Sequence, residues 1–400
     1  MKTELKSLTR DELAVELAKL GAPAYRADQI LTWTHKHGVE SFDAMKNLPA
    51  PLRTQLADQF EMNSVRELRE QHSTDTTEKF LFALHDHSLI ETVLIPATPG
   101  LCTQADRHTV CISTQVGCAF GCKFCASGLE GVKRDLTAGE IVDQVVAVQR
   151  WLHGNSKLQT PNSKETPSTK SQDSSLSSRF NASTFQRVTN IVVMGMGEPL
   201  ANYNNLMRAL RILNAPWGMG IGARKITVST VGLVPRIKEL ADDPLQIRLA
   251  ISLHAPTDDV RDRIMPVNNK WPLKELLAAC EYYAKTKGRM LTFEYILMEG
   301  VNDSLDLAEK LAIITKRVHA KVNLIPYNTV DGLPWKRPSE ERCVAFAKKL
   351  KSLGVTATLR HEKGHDIAAA CGQLRLKREG FNRESTRIDA KTFLRESISG

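Results

Sequence analysis

From about residue 109 onward, short apolar runs alternate with amphipathic helical stretches, and this alternation constrains the fold more than any other feature. One helix begins at the capping box Thr137-Ala-Gly-Glu140, in which side chains satisfy the first backbone N–H groups. Six units of one strand and one helix predict an α/β fold with a parallel sheet curled into a barrel or partial barrel. The strand-like runs are Thr109–Thr114, Val188–Met194, Lys225–Thr230, Gln246–Leu253, Leu291–Leu297 and Lys321–Ile325.

Two smaller regions precede the barrel. Residues 1–62 predict a small helical domain, in which Thr9-Arg-Asp-Glu12 caps a helix that ends at Gly21. Residues 63–108 predict a short β-meander or linker with strands at Val65–Gln71, Lys79–Leu84 and Leu89–Ile95. We therefore expect the barrel at 109–375 and a tail at 376–400. Residues 154–186, which are rich in Ser, Thr, Asn and Pro, predict a disordered insertion in the barrel.

The composition indicates which kind of partner the protein binds and in which cellular compartment it works. The 400 residues are 42% hydrophobic, which is enough to bury a large core. A net charge of +9 favours a polyanion such as nucleic acid. The sequence shows neither a membrane-length apolar run nor a signal-peptide core, so we expect a cytoplasmic protein with no membrane partner. We also expect a monomer. Clustered cysteines in that compartment indicate metal or redox chemistry.

Three of the eight cysteines, Cys118, Cys122 and Cys125, lie in the run Cys-Ala-Phe-Gly-Cys-Lys-Phe-Cys. This CxxxCxxC spacing puts three thiolates on one loop, where they can bind one soft metal centre. Iron–sulfur clusters and structural zinc sites normally take four ligands, so one position is open for chemistry unless another residue fills it.

Small and polar residues follow the strands, where parallel α/β barrels form their sites. The pair Gly197-Glu198 comes after the second strand and offers close backbone approach beside a carboxylate that suits an ammonium group. Ser229 ends the third strand, Ser252-Leu253-His254 the fourth, and Asn328 follows the sixth.

The cysteine run followed by Gly-Glu after the next strand resembles the radical S-adenosylmethionine (SAM) superfamily. The resemblance implies a partial (βα)6 TIM-like barrel and a [4Fe–4S] cluster held by Cys118, Cys122 and Cys125. It also implies that the open iron chelates SAM, whose reductive cleavage gives a 5′-deoxyadenosyl radical. A reductant such as flavodoxin or ferredoxin would supply the electron.

Five further motifs are spread along the chain: Ser113-Thr-Gln-Val-Gly-Cys118, Met194-Gly-Met-Gly-Glu-Pro-Leu200, Ile251-Ser-Leu-His-Ala-Pro256, Ala369-Ala-Cys371-Gly-Gln-Leu374 and Ala24-Tyr-Arg-Ala-Asp-Gln-Ile30. Together they carry a narrower resemblance, to the RlmN/Cfr family of RNA adenine methyltransferases, that covers nearly the whole chain. It implies 23S rRNA and tRNA as substrates, methylation at adenine C2, and an RNA-binding role for residues 1–62. It also implies that SAM is bound by seven residues: Gly197, Glu198, Ser229, Ser252, Leu253, His254 and Asn328.

The same resemblance implies roles for two further cysteines and a carboxylate. Cys371 would become S-methylated and carry the methyl carbon to the base, and Cys111 would then resolve the protein–RNA adduct, leaving a transient Cys111–Cys371 disulfide. Glu91 would accept the C2 proton. The segment before Cys371 departs from the family pattern, because His365 stands where an acidic residue is usual.

Two alternatives remain open at the level of sequence. A Cfr-type enzyme, which methylates adenine C8, shares both catalytic cysteines, although the longer helical N-terminus favours the RlmN type. A zinc-dependent RNA-binding protein without catalysis is the alternative from another class.

Overall fold

A computed structural model describes residues 2–73, 75–96, 107–158, 187–330 and 332–360. Residues 2–62 form a helical unit with its own apolar core, which includes Leu13, Leu17 and Ile30. The predicted capping box is present, because Thr9 and Glu12 each accept a hydrogen bond from the other's backbone N–H. The elements are β1 (Thr3–Glu4), α1 (Arg10–Lys19), α2 (Arg26–Leu31), which continues as one π-helical turn (Thr32–Lys36), α3 (Ala50–Gln59) and β2 (Phe60–Glu61).

The helical unit is joined to the barrel by buried polar contacts. Lys6 Nζ lies 2.7 Å from a carboxylate oxygen of Asp143, and both side chains are buried. The other oxygen of Asp143 accepts hydrogen bonds from the N–H groups of Ser64 and Val65. Since breaking a buried ion pair costs several kcal/mol, these contacts fix the two regions against each other.

The predicted meander consists of β3 (Arg66–His72), β4 (Glu78–Ala83) and β5 (Leu89–Pro96). These three strands pair antiparallel, and β5 pairs antiparallel with the first barrel strand, so the meander extends the barrel sheet.

The remaining strands complete one ten-stranded sheet and a separate hairpin. The sheet order is β14-β13-β12-β11-β10-β9-β6-β5-β4-β3, with β6 and β9 to β14 parallel. The bounds are β6 (His108–Cys111), β7 (Gln115–Gly117), β8 (Val132–Asp135), β9 (Val188–Val193), β10 (Ile226–Thr230), β11 (Arg248–Ser252), β12 (Leu291–Leu297), β13 (Ala320–Pro326) and β14 (Ala357–Leu359).

Helices cover one face of this sheet, as a partial barrel requires. They are α4 (Ala138–Leu158), α5 (Tyr203–Asn214), α6 (Val234–Asp242), α7 (Asp258–Ile264), α8 (Leu273–Lys287), α9 (Leu305–Val318) and α10 (Glu340–Ser352). The partial TIM-like barrel is therefore confirmed. It has a seventh parallel strand, β14, which was not predicted because three residues are too few to show a periodic pattern. Helix α4 also continues to Leu158, five residues into the segment predicted as a disordered insertion, and residues 159–186 lie outside the described residues.

Side chains alternate between the two faces of the parallel strands. Val228, Ile251 and Phe293 belong to the main apolar core with the helices. Their neighbours Ser229, Ser252 and Glu294 point to the opposite, concave face, because adjacent residues of a strand project to opposite sides. Polar residues thus line the inside of the barrel. No helix in the described part of the chain has both the length and the apolarity needed to cross a membrane.

Candidate functional site

The loop with the cysteine triplet is held closed by the hairpin of β7 and β8. The Cys118 N–H donates to the carbonyl oxygen of Gly131 at 2.9 Å, and the Cys125 N–H donates to that of Cys122 at 3.1 Å. Gly117 has φ +81°, and a Cβ there would lie 2.0 Å from the Gly131 oxygen, so only glycine permits this closure. This short hairpin was not predicted from the sequence.

Three further contacts fix the loop to the barrel. The Lys123 N–H donates to the Ile264 carbonyl at 2.9 Å, and the Trp335 indole N–H donates to the Lys123 carbonyl at 2.8 Å. Phe124 meets the His254 ring edge-on, with centroids 4.9 Å apart. The loop is therefore anchored at the two residues between Cys122 and Cys125.

The three cysteines open onto a cavity of about 350 Å³ at the carboxyl ends of the parallel strands. Its wall also contains six of the seven residues expected to bind SAM: Gly197, Glu198, Ser229, Ser252, His254 and Asn328. The seventh, Leu253, is fully buried and donates its N–H to the Glu294 carbonyl at 3.1 Å. Residues at the carboxyl ends of five strands, or in the loops that follow them, thus line the same cavity.

Glu198 is a buried carboxylate that backbone donors hold in place. Its oxygens accept from the N–H groups of Val231 at 2.8 Å and Leu200 at 3.0 Å. Burial raises the pKa of Glu198 to about 7, against the effect of these hydrogen bonds. The preceding Gly197 has φ +98°, and a Cβ there would come within 2.6 Å of the Gln115 side chain.

The other wall residues offer neutral polar groups. The hydroxyl oxygens of Ser229 and Ser252 lie 3.4 Å apart, which places the ends of β10 and β11 side by side. His254 accepts a hydrogen bond from the Ile296 N–H through Nδ1, and burial lowers the pKa of His254 to about 3, so its ring is neutral. Among the described residues, no group donates to the buried Oδ1 of Asn328.

These residues fit a [4Fe–4S] cluster and SAM. Burial raises the pKa of Cys118 to about 12 and that of Cys122 well above its usual range, so both thiols need a cation beside them to ionise. Three thiols on one loop supply that set of ligands. Glu198 and the Asn328 oxygen, to which no described residue donates, are acceptors suited to the amino and hydroxyl groups of SAM.

Glu91 and Cys111 lie on the concave face of neighbouring strands, outside the cavity wall. Cys111 pairs with Val93 of β5, so Glu91 is one diagonal step from it on the same face. A Glu91 oxygen lies 2.8 Å from the Nζ of Lys79, and both side chains are buried. Cys371 and His365 lie outside the described residues, so their placement stays a prediction.

Several wall and support residues were not predicted from the sequence. Glu294 and Arg360 line the cavity, and Asn323 donates to Glu294 at 2.7 Å. A polar residue alternating with Phe293 and Tyr295 on an otherwise buried strand was the available signal for Glu294. Arg261 of α7 carried no such signal, because its buried contacts come from separate segments.

Comparisons with known proteins agree with this geometry. Residues 3–62 match the ribosomal RNA large subunit methyltransferase N-terminal domain, and residues 181–311 match the radical SAM superfamily. The chain is 54% identical over 379 residues to the probable dual-specificity RNA methyltransferase RlmN 3 of Opitutus terrae, covering 94% of this chain and 96% of that one. It is 48% identical to the probable dual-specificity RNA methyltransferase RlmN of Akkermansia muciniphila, covering 93% and 95% of the two chains.

A solved structure gives the same result for the fold. The radical SAM methyltransferase from Sphaerobacter thermophilus superimposes with a TM-score of 0.82 at 44% identity, covering 93% of this chain and 98% of that one. Similarity of this extent, over the helical unit and the barrel together, confirms the resemblance seen in the sequence. The chain belongs to the RlmN family within the radical SAM superfamily.

Proposed function

We propose that this protein is a radical SAM RNA methyltransferase that forms 2-methyladenine in 23S rRNA and in tRNA. The observation that carries the proposal is the cavity onto which Cys118, Cys122 and Cys125 open together with Glu198 and Asn328. The relatives named RlmN and the match of residues 3–62 favour this reading over a Cfr-type C8 methyltransferase.

Cys118, Cys122 and Cys125 would hold the [4Fe–4S] cluster, which with bound SAM supplies a 5′-deoxyadenosyl radical. Glu198 would accept a hydrogen bond from the amino group of SAM, since it is a fixed carboxylate at the cavity wall. Gly197, Ser229, Ser252, Leu253, His254 and Asn328 would complete the SAM site.

Cys371, Cys111 and Glu91 would carry out the transfer to the base. Cys371 would hold the methyl carbon as a thioether, and Cys111 would attack the Cys371 sulfur to release the product. Glu91 would accept the proton from adenine C2. The shared concave face of Glu91 and Cys111 supports this division of roles, because both side chains approach the barrel interior.

Residues 1–62 would act as the RNA-binding accessory domain beside a barrel at 109–375. A flavodoxin or ferredoxin would supply the electron, and the protein would act as a cytoplasmic monomer. The net charge of +9 is in keeping with an RNA substrate.

The first experiment measures metal content and product. Protein reconstituted without oxygen should be brown and contain about four irons, the number for one [4Fe–4S] cluster. Mass spectrometry of digested 23S rRNA and tRNA should then show 2-methyladenine. A colourless, air-stable zinc protein would support the non-catalytic alternative, and 8-methyladenine without 2-methyladenine would support the Cfr type.

The second experiment tests the roles of the two distant cysteines. Cys111→Ala should accumulate protein joined covalently to RNA, because the adduct cannot resolve, whereas Cys371→Ala should form none. Cys102→Ala, at a cysteine without an assigned role, is the matched control and should turn over like the parent. Equal turnover in all three variants would contradict the two-cysteine scheme.

A further inference from the structure

Arg261 of α7 is a fully buried arginine behind the cysteine loop. Its guanidinium donates to the Val231 carbonyl at 2.6 Å, the Leu253 carbonyl at 3.2 Å and the Asn268 amide oxygen at 2.7 Å. Val231 follows β10 and Leu253 follows β11, so Arg261 ties together the ends of two neighbouring strands at the cavity.

The charge of Arg261 is solvated by neutral groups. Within the described ranges of the chain, no carboxylate oxygen lies within ion-pair distance of the guanidinium, and its three acceptors are two carbonyls and an amide. Asp258 and Asp262 accept instead from the Asn268 amide nitrogen, one side chain further away. Burial lowers the pKa of Arg261 to about 10, so the residue still carries its charge at neutral pH.

This charge lies next to the cysteine loop. Ile264, one turn after Arg261 on α7, accepts the N–H of Lys123, the residue that follows Cys122. Val231, which Arg261 holds by its carbonyl, lines the cavity with the three cysteines. Its N–H donates to Glu198.

We infer that Arg261 is a positioning residue that also raises the reduction potential of the cluster at Cys118, Cys122 and Cys125. The inference rests on the proposed function, which puts a cluster there. Reduction adds one electron, supplied by the flavodoxin or ferredoxin, and so makes the thiolate-bound cluster one charge more negative. A buried positive charge with no bound carboxylate stabilises that reduced form, because little solvent screens the attraction.

A purely structural role is the competing explanation. In that explanation Arg261 acts only by joining the ends of β10 and β11. Every substitution that loses the hydrogen bonds to the Val231 and Leu253 carbonyls would then change the site in the same way. The reduction potential separates the two roles, because it responds to the charge and a strand-end contact alone does not set it.

The test uses Arg261→Lys, which keeps the charge and loses the planar fork, and the neutral variants Arg261→Gln and Arg261→Met. Arg236→Met, an exposed arginine on α6, is the matched control. Each full-length protein is reconstituted, its iron is counted, and the midpoint potential is measured by titration followed by electron paramagnetic resonance. We expect both neutral variants to shift to a more negative potential, and the Lys and Arg236 variants to stay near the parent.

The remaining outcomes also decide. If Arg261→Lys retained iron while both neutral variants lost it, the result would support a role for the positive charge. The Lys variant, like the neutral ones, lacks the planar guanidinium, so that group could not explain the difference. Equal potentials in the parent and neutral variants, or equal loss of iron in the Lys and neutral variants, would overturn the inference. If the parent itself bound no iron, the proposed function would have failed, and the two failures are thus distinguishable.

Discussion

Two arginines brace the surroundings of the cysteine loop, and they differ in what surrounds their charge. Arg134 of β8 forms a two-pronged ion pair with Glu140, both contacts at 2.8 Å, and a further one with Asp86 at 2.8 Å. Arg261 contacts two carbonyls and an amide. Arg134 therefore has its charge cancelled locally, whereas that of Arg261 remains.

The pKa values reflect this difference. Hydrogen bonds that Arg134 donates to Glu140 and Asp86 raise the pKa of Arg134 above its usual value, while burial lowers the pKa of Arg261 to about 10. Arginine thus serves as an ion-pair partner at position 134 and as a source of positive electrostatic potential at position 261. Arg134 is partly exposed and paired with carboxylates, whereas Arg261 is fully buried among neutral acceptors, so partners and burial together decide how each charge acts on a neighbouring site.

Arg134→Met should break the ion-pair clamp and have the largest effect on stability. The substitution leaves the fully buried Glu140 carboxylate without its guanidinium, and removing one partner of a buried pair costs about 3–5 kcal/mol. Urea denaturation of the anaerobic protein measures the loss. The double variant Arg134→Met/Glu140→Gln should recover much of it, because glutamine can still complete the helix cap at Thr137. A loss below about 1 kcal/mol would show that the pair contributes little.

Asn268→Ala should have a smaller effect, because Arg261 loses a neutral acceptor. The amide is 1% exposed and connects Arg261 with Asp258 and Asp262. Its removal should cost about 1–3 kcal/mol in the free energy of unfolding, the penalty for buried hydrogen-bonding groups left without a partner. The reduction potential should not fall, since the arginine charge is retained. A fall as large as in Arg261→Met would mean that geometry, and not charge, sets the potential.

The affinity for SAM should depend on pH through Glu198, which shares Val231 with Arg261. Because burial raises the pKa of Glu198 to about 7, the carboxylate is ionised above that pH and protonated below it. The ionised form is the better acceptor for an amino group, so affinity should rise with pH and level off above about 7. Below that point it should fall about tenfold per pH unit, which is about 1.4 kcal/mol. Equilibrium dialysis between pH 5.5 and 8.5, sampled at about half-unit steps, measures this.

The matched variant for this test is Glu198→Gln, whose side chain does not titrate. Its SAM affinity should be lower than that of the parent at high pH and nearly flat across the range. A parallel slope in the two proteins would assign the pH dependence to another group.

The sequence was sufficient for the parts of the molecule that depend on local pattern. Alternation predicted six of the seven parallel strands, the two capping boxes at Thr9 and Thr137 are present, and the strand-end positions brought Glu198, Ser229 and His254 to one cavity. Parallel strands bring their ends together whatever the details of packing, which is why this much follows from sequence.

The supports of the site could not be predicted in the same way. Arg261 contacts residues 30 and 8 positions earlier in the chain, and Trp335 donates to a carbonyl 212 positions away. Neither contact leaves a period or a motif in the sequence, because each depends on how separate βα units pack. Arg236 is the opposite case, since its partner Glu239 is three residues along one helix.

Arg236→Met should therefore have the smallest effect and define the baseline of the comparison. Arg236 and Glu239 are 42% and 46% exposed, so solvent screens their attraction, and the guanidinium also lies over the Tyr203 ring. Exposed pairs contribute about 0.2–1 kcal/mol, so the free energy of unfolding should fall by less than about 1 kcal/mol and the remaining difference should shrink in high salt. A loss comparable to that of Arg134→Met would contradict the argument, because the cost would then not follow burial of the partner carboxylate. Urea denaturation at low and high salt, on the same preparations used for Arg134→Met, makes the comparison direct.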